Sequence, residues 1–220
     1  MRSALITGGT GGLGVSVVEA FLEAGWRVVV PWIVGGEQER LPPEAIAVEA
    51  DLSDPDDVGR AVRLAAGEKS APLGALANLV GGYADGQPVI DTPLSDFEAM
   101  FALNLKPTYL VTQCALPRLV DAGGGAIVCV SSKAALEPWA GGSGYAASKA
   151  AVIAFARAVA KEHADDGVRC NVIAPTMIDT PANRAANPDA KMTPPAQVAA
   201  VVRFLCSEES AATNGAVVPV

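Results

Sequence analysis

Tyr145 and Lys149 stand four positions apart in Gly144-Tyr145-Ala146-Ala147-Ser148-Lys149, at the start of a helix-patterned stretch. Residues at that spacing face the same side of a helix. A phenol with a pKa of about 10 is a poor base at neutral pH. A nearby ammonium stabilises the phenolate and lowers that pKa. The pair therefore has the chemistry of a proton donor and acceptor for interconverting a carbonyl and an alcohol. Tyr-x-x-x-Lys recurs by chance, so its setting matters. Ser132 lies thirteen residues before Tyr145, after Val130-Ser131. Its hydroxyl is suited to hold the same substrate oxygen. Asn104, polar within Leu103-Asn104-Leu105, is suited to bind a water that carries protons from Lys149.

A second group of residues is built for phosphate. The chain's first apolar run enters Thr7-Gly8-Gly9-Thr10-Gly11-Gly12-Leu13-Gly14, and a helical pattern follows. Such a turn lets the backbone approach a pyrophosphate, while the helix N-terminus offers unpaired N–H groups and a positive dipole end. Three glycine registers fit: Gly9/Gly11/Gly14, Gly8/Gly12/Gly14 and Gly8/Gly11/Gly14. The second run ends at Val30-Pro31-Trp32, where an acidic residue would grip both ribose hydroxyls and select NAD. Trp32 has no carboxylate, no arginine follows at once, and the next basic residue is Arg40. NAD and NADP both remain open. Asp51-Leu52 closes the third run, where the carboxylate either accepts from an adenine amino group or caps a helix.

These residues need a scaffold that brings strand ends together. Apolar runs at Ser3–Thr7, Arg27–Val30, Ala45–Ala50, Leu73–Val80, Ala126–Val130, Val168–Ile173 and Ala216–Val220 read as strands. Helical patterns cover Val15–Ala24, Pro55–Ala66, Asp96–Val120, Gly144–Ala164 and Pro195–Leu205. Ser53 or Asp54 caps the second of these, and Pro107 either kinks the third or marks two helices meeting. Alternating strands and helices predict a Rossmann-like, doubly wound parallel seven-stranded sheet with helices on both faces, in one domain spanning 1–220. Ligands bind at the carboxyl ends of such strands. Thr180–Pro195 is the loosest stretch.

Composition narrows the partners. The formal charge of -8 argues against non-specific nucleic-acid binding. No apolar run approaches the roughly 18 residues of a membrane span. The chain enters a strand almost at once, leaving no room for a signal peptide, and a cytoplasmic protein is expected. Cys114, Cys129, Cys170 and Cys206 form no CxxC pair and read as small buried hydrophobes. With one histidine, His163, no metal site is expected.

The ordered set Thr7-Gly8…Gly12-Leu13-Gly14, Asp51-Leu52, Asn104, Ser132, Tyr145…Lys149, Asn171…Pro175 and Thr180 resembles the short-chain dehydrogenase/reductase family over nearly the whole chain. The chain's length favours the Gly8/Gly12/Gly14 register within that family. The resemblance implies an NAD(P)-dependent oxidoreductase acting on a small molecule. Tyr145 would be its acid/base, Lys149 would bind the nicotinamide ribose and lower the tyrosine pKa, Ser132 would orient the carbonyl and Asn104 would support a proton relay. It implies a cofactor site drawn from Gly8, Thr10, Gly12, Leu13, Gly14, Trp32, Asp51, Leu52, Asn78, Val80, Gly81, Tyr145, Lys149, Pro175, Ile178 and Thr180. It also implies a homodimer or homotetramer formed through the two long helices, around Leu103–Val120 and Val152–Ala164, and the last strand.

Three positions depart from the family pattern. Its Asn-Asn-Ala-Gly is Asn78-Leu79-Val80-Gly81, its Pro-Gly is Pro175-Thr176, and its acidic residue after the second strand is Trp32. Val80-Gly81-Gly82-Tyr83, Lys133-Ala134-Ala135-Leu136 and Asp179-Thr180-Pro181-Ala182-Asn183-Arg184 also resemble segments of quinonoid dihydropteridine reductases, which makes pteridine reduction an alternative activity. That branch lacks the serine, so Ser132 and Asn104 favour carbonyl or alcohol chemistry. A nucleotide-binding regulator without turnover would have no use for all four polar residues. The short loop at 180–195, with Tyr83, Trp139 and Met177, is expected to shape the substrate pocket.

Overall fold

The computed structural model describes residues 1–84 and 86–220. Among them, seven strands form one all-parallel sheet: β1 (Ser3–Thr7), β2 (Arg27–Trp32), β3 (Ile46–Glu49), β4 (Leu73–Asn78), β5 (Gly125–Val130), β6 (Val168–Ala174) and β7 (Val217–Pro219). Their order is β3-β2-β1-β4-β5-β6-β7. The chain reverses its direction of winding between β1 and β4, which opens a crevice at their carboxyl ends.

Both faces of the sheet are covered, so its central strands are apolar apart from Ser3, Thr7 and Asn78 at their ends. Every residue of β1 and β4 is buried. Leu5, Leu76 and Ile127 point into a core shared with α2 (Pro55–Ala66), α4 (Lys106–Asp121) and α5 (Ser143–Glu162). Ala4, Ile6 and Val128 point the other way, against α1 (Gly14–Glu23) and α7 (Pro195–Cys206). Pro31 lies in β2, but beyond Val29, the last residue paired with β1, so its missing N–H leaves no gap in the β1–β2 ladder.

The helix signals resolve into particular contacts. Asp54, rather than Ser53, caps α2, accepting from the N–H groups of Asp56 at 2.7 Å and Asp57 at 3.3 Å. The stretch 96–120 is two helices: α3 (Leu94–Asn104) ends one residue before α4 begins. Pro107 sits in the first turn of α4, where its lack of an N–H costs nothing. Asn104 is therefore the last residue of α3, beside the crevice.

The segment 180–195 is more ordered than its composition suggests. It contains a short helix, α6 (Pro181–Ala186), capped by the Thr180 hydroxyl, which accepts from Asn183 N at 3.2 Å. Arg184 ties it down, donating to Asp179 Oδ1 at 3.0 Å and to the carbonyls of Pro188 at 2.8 Å and Ala190 at 3.1 Å. At its base Asp179 N donates to Thr193 O, and Thr193 N to Met177 O, both at 2.9 Å. A segment without apolar periodicity is held here by side-chain bonds to backbone carbonyls.

Phe21 of α1 anchors the layer behind the glycine turn. It is fully buried and meets Trp26 edge-on at 5.4 Å. Phe21→Ala should cost about 3–5 kcal/mol. Urea unfolding monitored by circular dichroism should show this as a lower midpoint at unchanged slope.

Candidate active site

Sterics select the glycine register. Gly8 adopts φ +67°, and a Cβ there would come within 3.0 Å of Val80 N. A Cβ at Gly14 would run into the Gly8 carbonyl oxygen and lie 2.6 Å from the Gly9 backbone. One at Gly12 would lie 2.7 Å from Thr180 Cγ2. A Cβ on Gly11 meets only the Gly8 carbonyl, at 3.3 Å. The demanding positions are thus Gly8, Gly12 and Gly14, with Gly9 also pressed against Val30. No side chain caps the N-terminus of α1 at Leu13. A bare helix N-terminus behind a turn with no room for side chains fits a pyrophosphate.

The turn is tied to the neighbouring strand end. Leu79 N donates to Thr7 Oγ1 at 3.1 Å, bringing Val80 and Gly81 beside the turn. Gly81 opens onto the reactive residues. A Cβ there would lie 2.6 Å from Asn104 Oδ1 and 2.7 Å from Lys149 Nζ. A methyl group at Gly81 would push both the Asn104 amide and the Lys149 ammonium out of place, so glycine suits the point where the loop after β4, the end of α3 and Lys149 converge.

Lys149 is only 4% exposed. Its Nζ donates to Val130 O at 3.1 Å, and its own carbonyl accepts from Ser131 Oγ at 2.7 Å. Burial pushes the ammonium pKa down to about 8, with Cys129 opposing weakly. Asn104 spans the gap beside it. Its Oδ1 accepts from Gly82 N at 2.9 Å, and its Nδ2 donates to Ser148 Oγ at 3.1 Å. Ser148 Oγ in turn donates to the Tyr145 carbonyl at 2.8 Å.

Tyr145 and Ser132 meet at the mouth. Ser132 ends the residues that follow β5, and its Oγ accepts from Ala134 N at 3.2 Å. Burial pushes the Tyr145 phenol above its ordinary value, and a hydrogen bond with Ser132 partly offsets this. The phenol thus lies above its ordinary value and not below it as expected, and the Lys149 ammonium donates to Val130 O.

The other expected cofactor residues divide. Pro175 is buried, and its carbonyl accepts from Lys133 N at 2.9 Å, joining the loops after β5 and β6. Ile178 bridges Thr193, and Thr180 touches the turn through Gly12. Trp32 is half-buried at the end of β2, and Leu52 is buried. Asp51 is not the cap of α2. Its Oδ1 accepts from Ser53 N at 2.8 Å, the bond chiefly responsible for holding its carboxyl below the usual value. Two of the expected side chains make hydrogen bonds within the protein. Asn78 is buried, and its Nδ2 donates to Thr112 Oγ1 at 2.9 Å, on the α4 side of the sheet. Thr10 is buried, and its hydroxyl donates to Glu37 Oε2 at 3.1 Å. Ser131, Ser148 and Glu37 are the residues that motif reading passes over. Gly81-Gly82 was the one local sign of how closely these elements approach.

Residues 2–191 match the short chain dehydrogenase family model. The 2-(R)-hydroxypropyl-CoM dehydrogenase of Xanthobacter autotrophicus is 30% identical, over 98% of this chain and 95% of its own. The 3-oxoacyl-[acyl-carrier-protein] reductase MabA of Mycobacterium bovis is 33% identical, over 100% of this chain and 91% of its own. A short-chain type dehydrogenase/reductase from Mycobacterium ulcerans superposes with a TM-score of 0.91 at 25% identity, covering 100% of this chain and 88% of that one. The chain belongs to the short-chain dehydrogenase family and is an NAD(P)-dependent oxidoreductase.

Proposed function

We propose that the protein interconverts a carbonyl and an alcohol with Tyr145 as the acid/base. The observation that carries this reading is the buried Lys149 ammonium, packed against Gly81 and Asn104 one helical turn from a phenol that bonds to Ser132. When bound at the glycine turn, NAD(P)H supplies a hydride to the carbonyl carbon. Ser132 Oγ orients the carbonyl oxygen, and Tyr145 Oη gives it a proton. The Lys149 ammonium, held at Val130 O, supplies the replacement proton, with Asn104 beside the path. Neither pteridine reduction nor a silent regulator is favoured by the relatives found.

Several finer readings go with this. The domain is 1–220, and its 180–195 loop borders the substrate. The protein is cytoplasmic; no helix among the described residues is long and apolar enough to cross a membrane. It forms a homodimer or homotetramer through α4, α5 and the last strand, β7. A surface groove of about 540 Å³ runs between α4 and α5, with Tyr109, Leu116, Val120 and Phe155 on its walls.

The finer cofactor reading is NAD(H). Glu37 follows Gly36 in a turn beyond β2, and its carboxylate crosses to Thr10 in the glycine turn. A carboxylate beside the glycine turn supports this reading, since it would repel a 2′-phosphate held near it. Arg40 is directed at the same carboxylate, 3.8 Å away.

Two experiments test these readings. Tyr145→Phe should lose about 10²–10⁴-fold in reductase rate over a carbonyl panel, and Ser132→Ala about 10²-fold. Full activity in Tyr145→Phe would refute the acid/base role. Full carbonyl activity in Ser132→Ala would refute the carbonyl-orienting role of Ser132. Fluorescence titration should show NADH binding about tenfold or more tighter than NADPH, a gap of about 1.4 kcal/mol, with Glu37→Gln narrowing it. Tighter NADPH binding would assign Arg40 to the phosphate.

A further inference from the structure

Three aromatic rings meet at the reactive tyrosine. Tyr83, in the loop after β4, lies edge-on to Tyr145 with centroids 5.2 Å apart. Trp139, in the loop before α5, lies 6.0 Å from Tyr83 and 6.2 Å from Tyr145. The chain has only three tyrosines and three tryptophans, so this concentration needs a reason. Core packing is not that reason, because Tyr83 is 50% and Trp139 48% exposed.

The rings are held in place although exposed. A Cβ at Gly86 would run into the Gly141 carbonyl, so the two loops press together backbone to backbone. A Cβ at Gly142 would lie 3.0 Å from the Trp139 indole, which packs over that glycine. Two glycine contacts thus present Tyr83 and Trp139 as a preformed wall. A preformed surface loses little side-chain freedom when a ligand arrives.

Resting on the reading that Tyr145 delivers the proton, we propose that this wall selects substrates bearing a planar, uncharged aryl group next to the carbonyl. A carbonyl oxygen held by Tyr145 and Ser132 places its adjacent group beside these rings. The rings are too close together for another ring to slot between them, since stacking on both sides needs about 7 Å or more. The aryl group stacks on their exposed faces instead. Nearby charge offers nothing for an anionic tail. A cavity of about 200 Å³ also reaches Tyr145 from the side of α3, and its lining adds Phe97, Met100 and the exposed Asp96 but, among the described residues, no basic one. Arg184 is engaged by Asp179, and Lys133 by Glu137 at 3.1 Å.

The test compares acetophenone with cyclohexyl methyl ketone, which differ in ring planarity at the same carbonyl. The full-length enzyme should favour acetophenone in kcat/KM by about three- to tenfold, the worth of one aromatic pair. Trp139→Leu should bring the ratio close to one, and Trp139→Phe, which keeps a ring, should preserve it. A ratio at or below one in the unaltered enzyme, or a ratio that survives both Trp139→Leu and Tyr83→Leu, overturns the proposal. So does preference for a trimethylammonium-bearing ketone over acetophenone, which would make the wall a cation site. Calorimetry on Tyr145→Phe protein with NADH separates the two levels. Tighter acetophenone than cyclohexyl ketone binding there, with no turnover of either ketone by the unaltered enzyme, supports the wall and overturns the proposed reaction. Equal binding overturns the wall.

Discussion

A lysine ammonium in the interior is costly to keep charged, and Lys149 is kept there by very few contacts. Its Nζ donates to the Val130 carbonyl, Ser131 fixes its backbone, and Gly81 leaves the space it occupies. The remaining site features are arranged around this placement. The loop after β4 must be bare at Gly81, α3 must end at Asn104, and α5 must begin close enough for Tyr145 to reach the mouth. Desolvation then brings the ammonium near the range where it can both hold and release a proton.

The glycine contacts form a second constraint of the same type. Gly14 against Gly8, Gly12 against Thr180 and Gly81 against Lys149 are each close approaches that a methyl group would block. They join the loops after β1, β4 and β6 at the crevice where winding reverses. Gly86 and Gly141 repeat the device at the outer rim, beneath the aromatic rings. Precision at the site comes from these close approaches on a rigid sheet, which pin the connecting loops to one another.

The fold was legible because a sheet covered on both faces demands strands with apolar centres, and β1, β4 and β5 are such runs. Tyr145, Lys149, Ser132 and Asn104 were legible because their types and order are restrictive together. Their strand and helix ends do converge. The glycine register was not legible from the run itself, which fits three patterns; chain length favoured Gly8/Gly12/Gly14, and the close contact of Gly12 with Thr180, against the roomier Gly11, agrees. Asn78 looked like a cofactor residue, yet its amide turns to Thr112, a tertiary choice that the local sequence does not encode. Glu37 was invisible for a similar reason, since it reaches Thr10 across 27 positions. Helix α6 went unseen because six residues capped by Thr180 and tied by Arg184 have no apolar period to read.

The central claim is that burial, with few polar partners, tunes Lys149 for proton transfer. Direct titration of its ε-ammonium by NMR in the full chain, assigned by the signal lost in Lys149→Met, tests this without any substrate. The prediction is a midpoint of about 8, with the group charged below it and neutral above. A midpoint at the ordinary lysine value of about 10.4 would contradict it, because the ammonium would then be as well solvated as one on the surface.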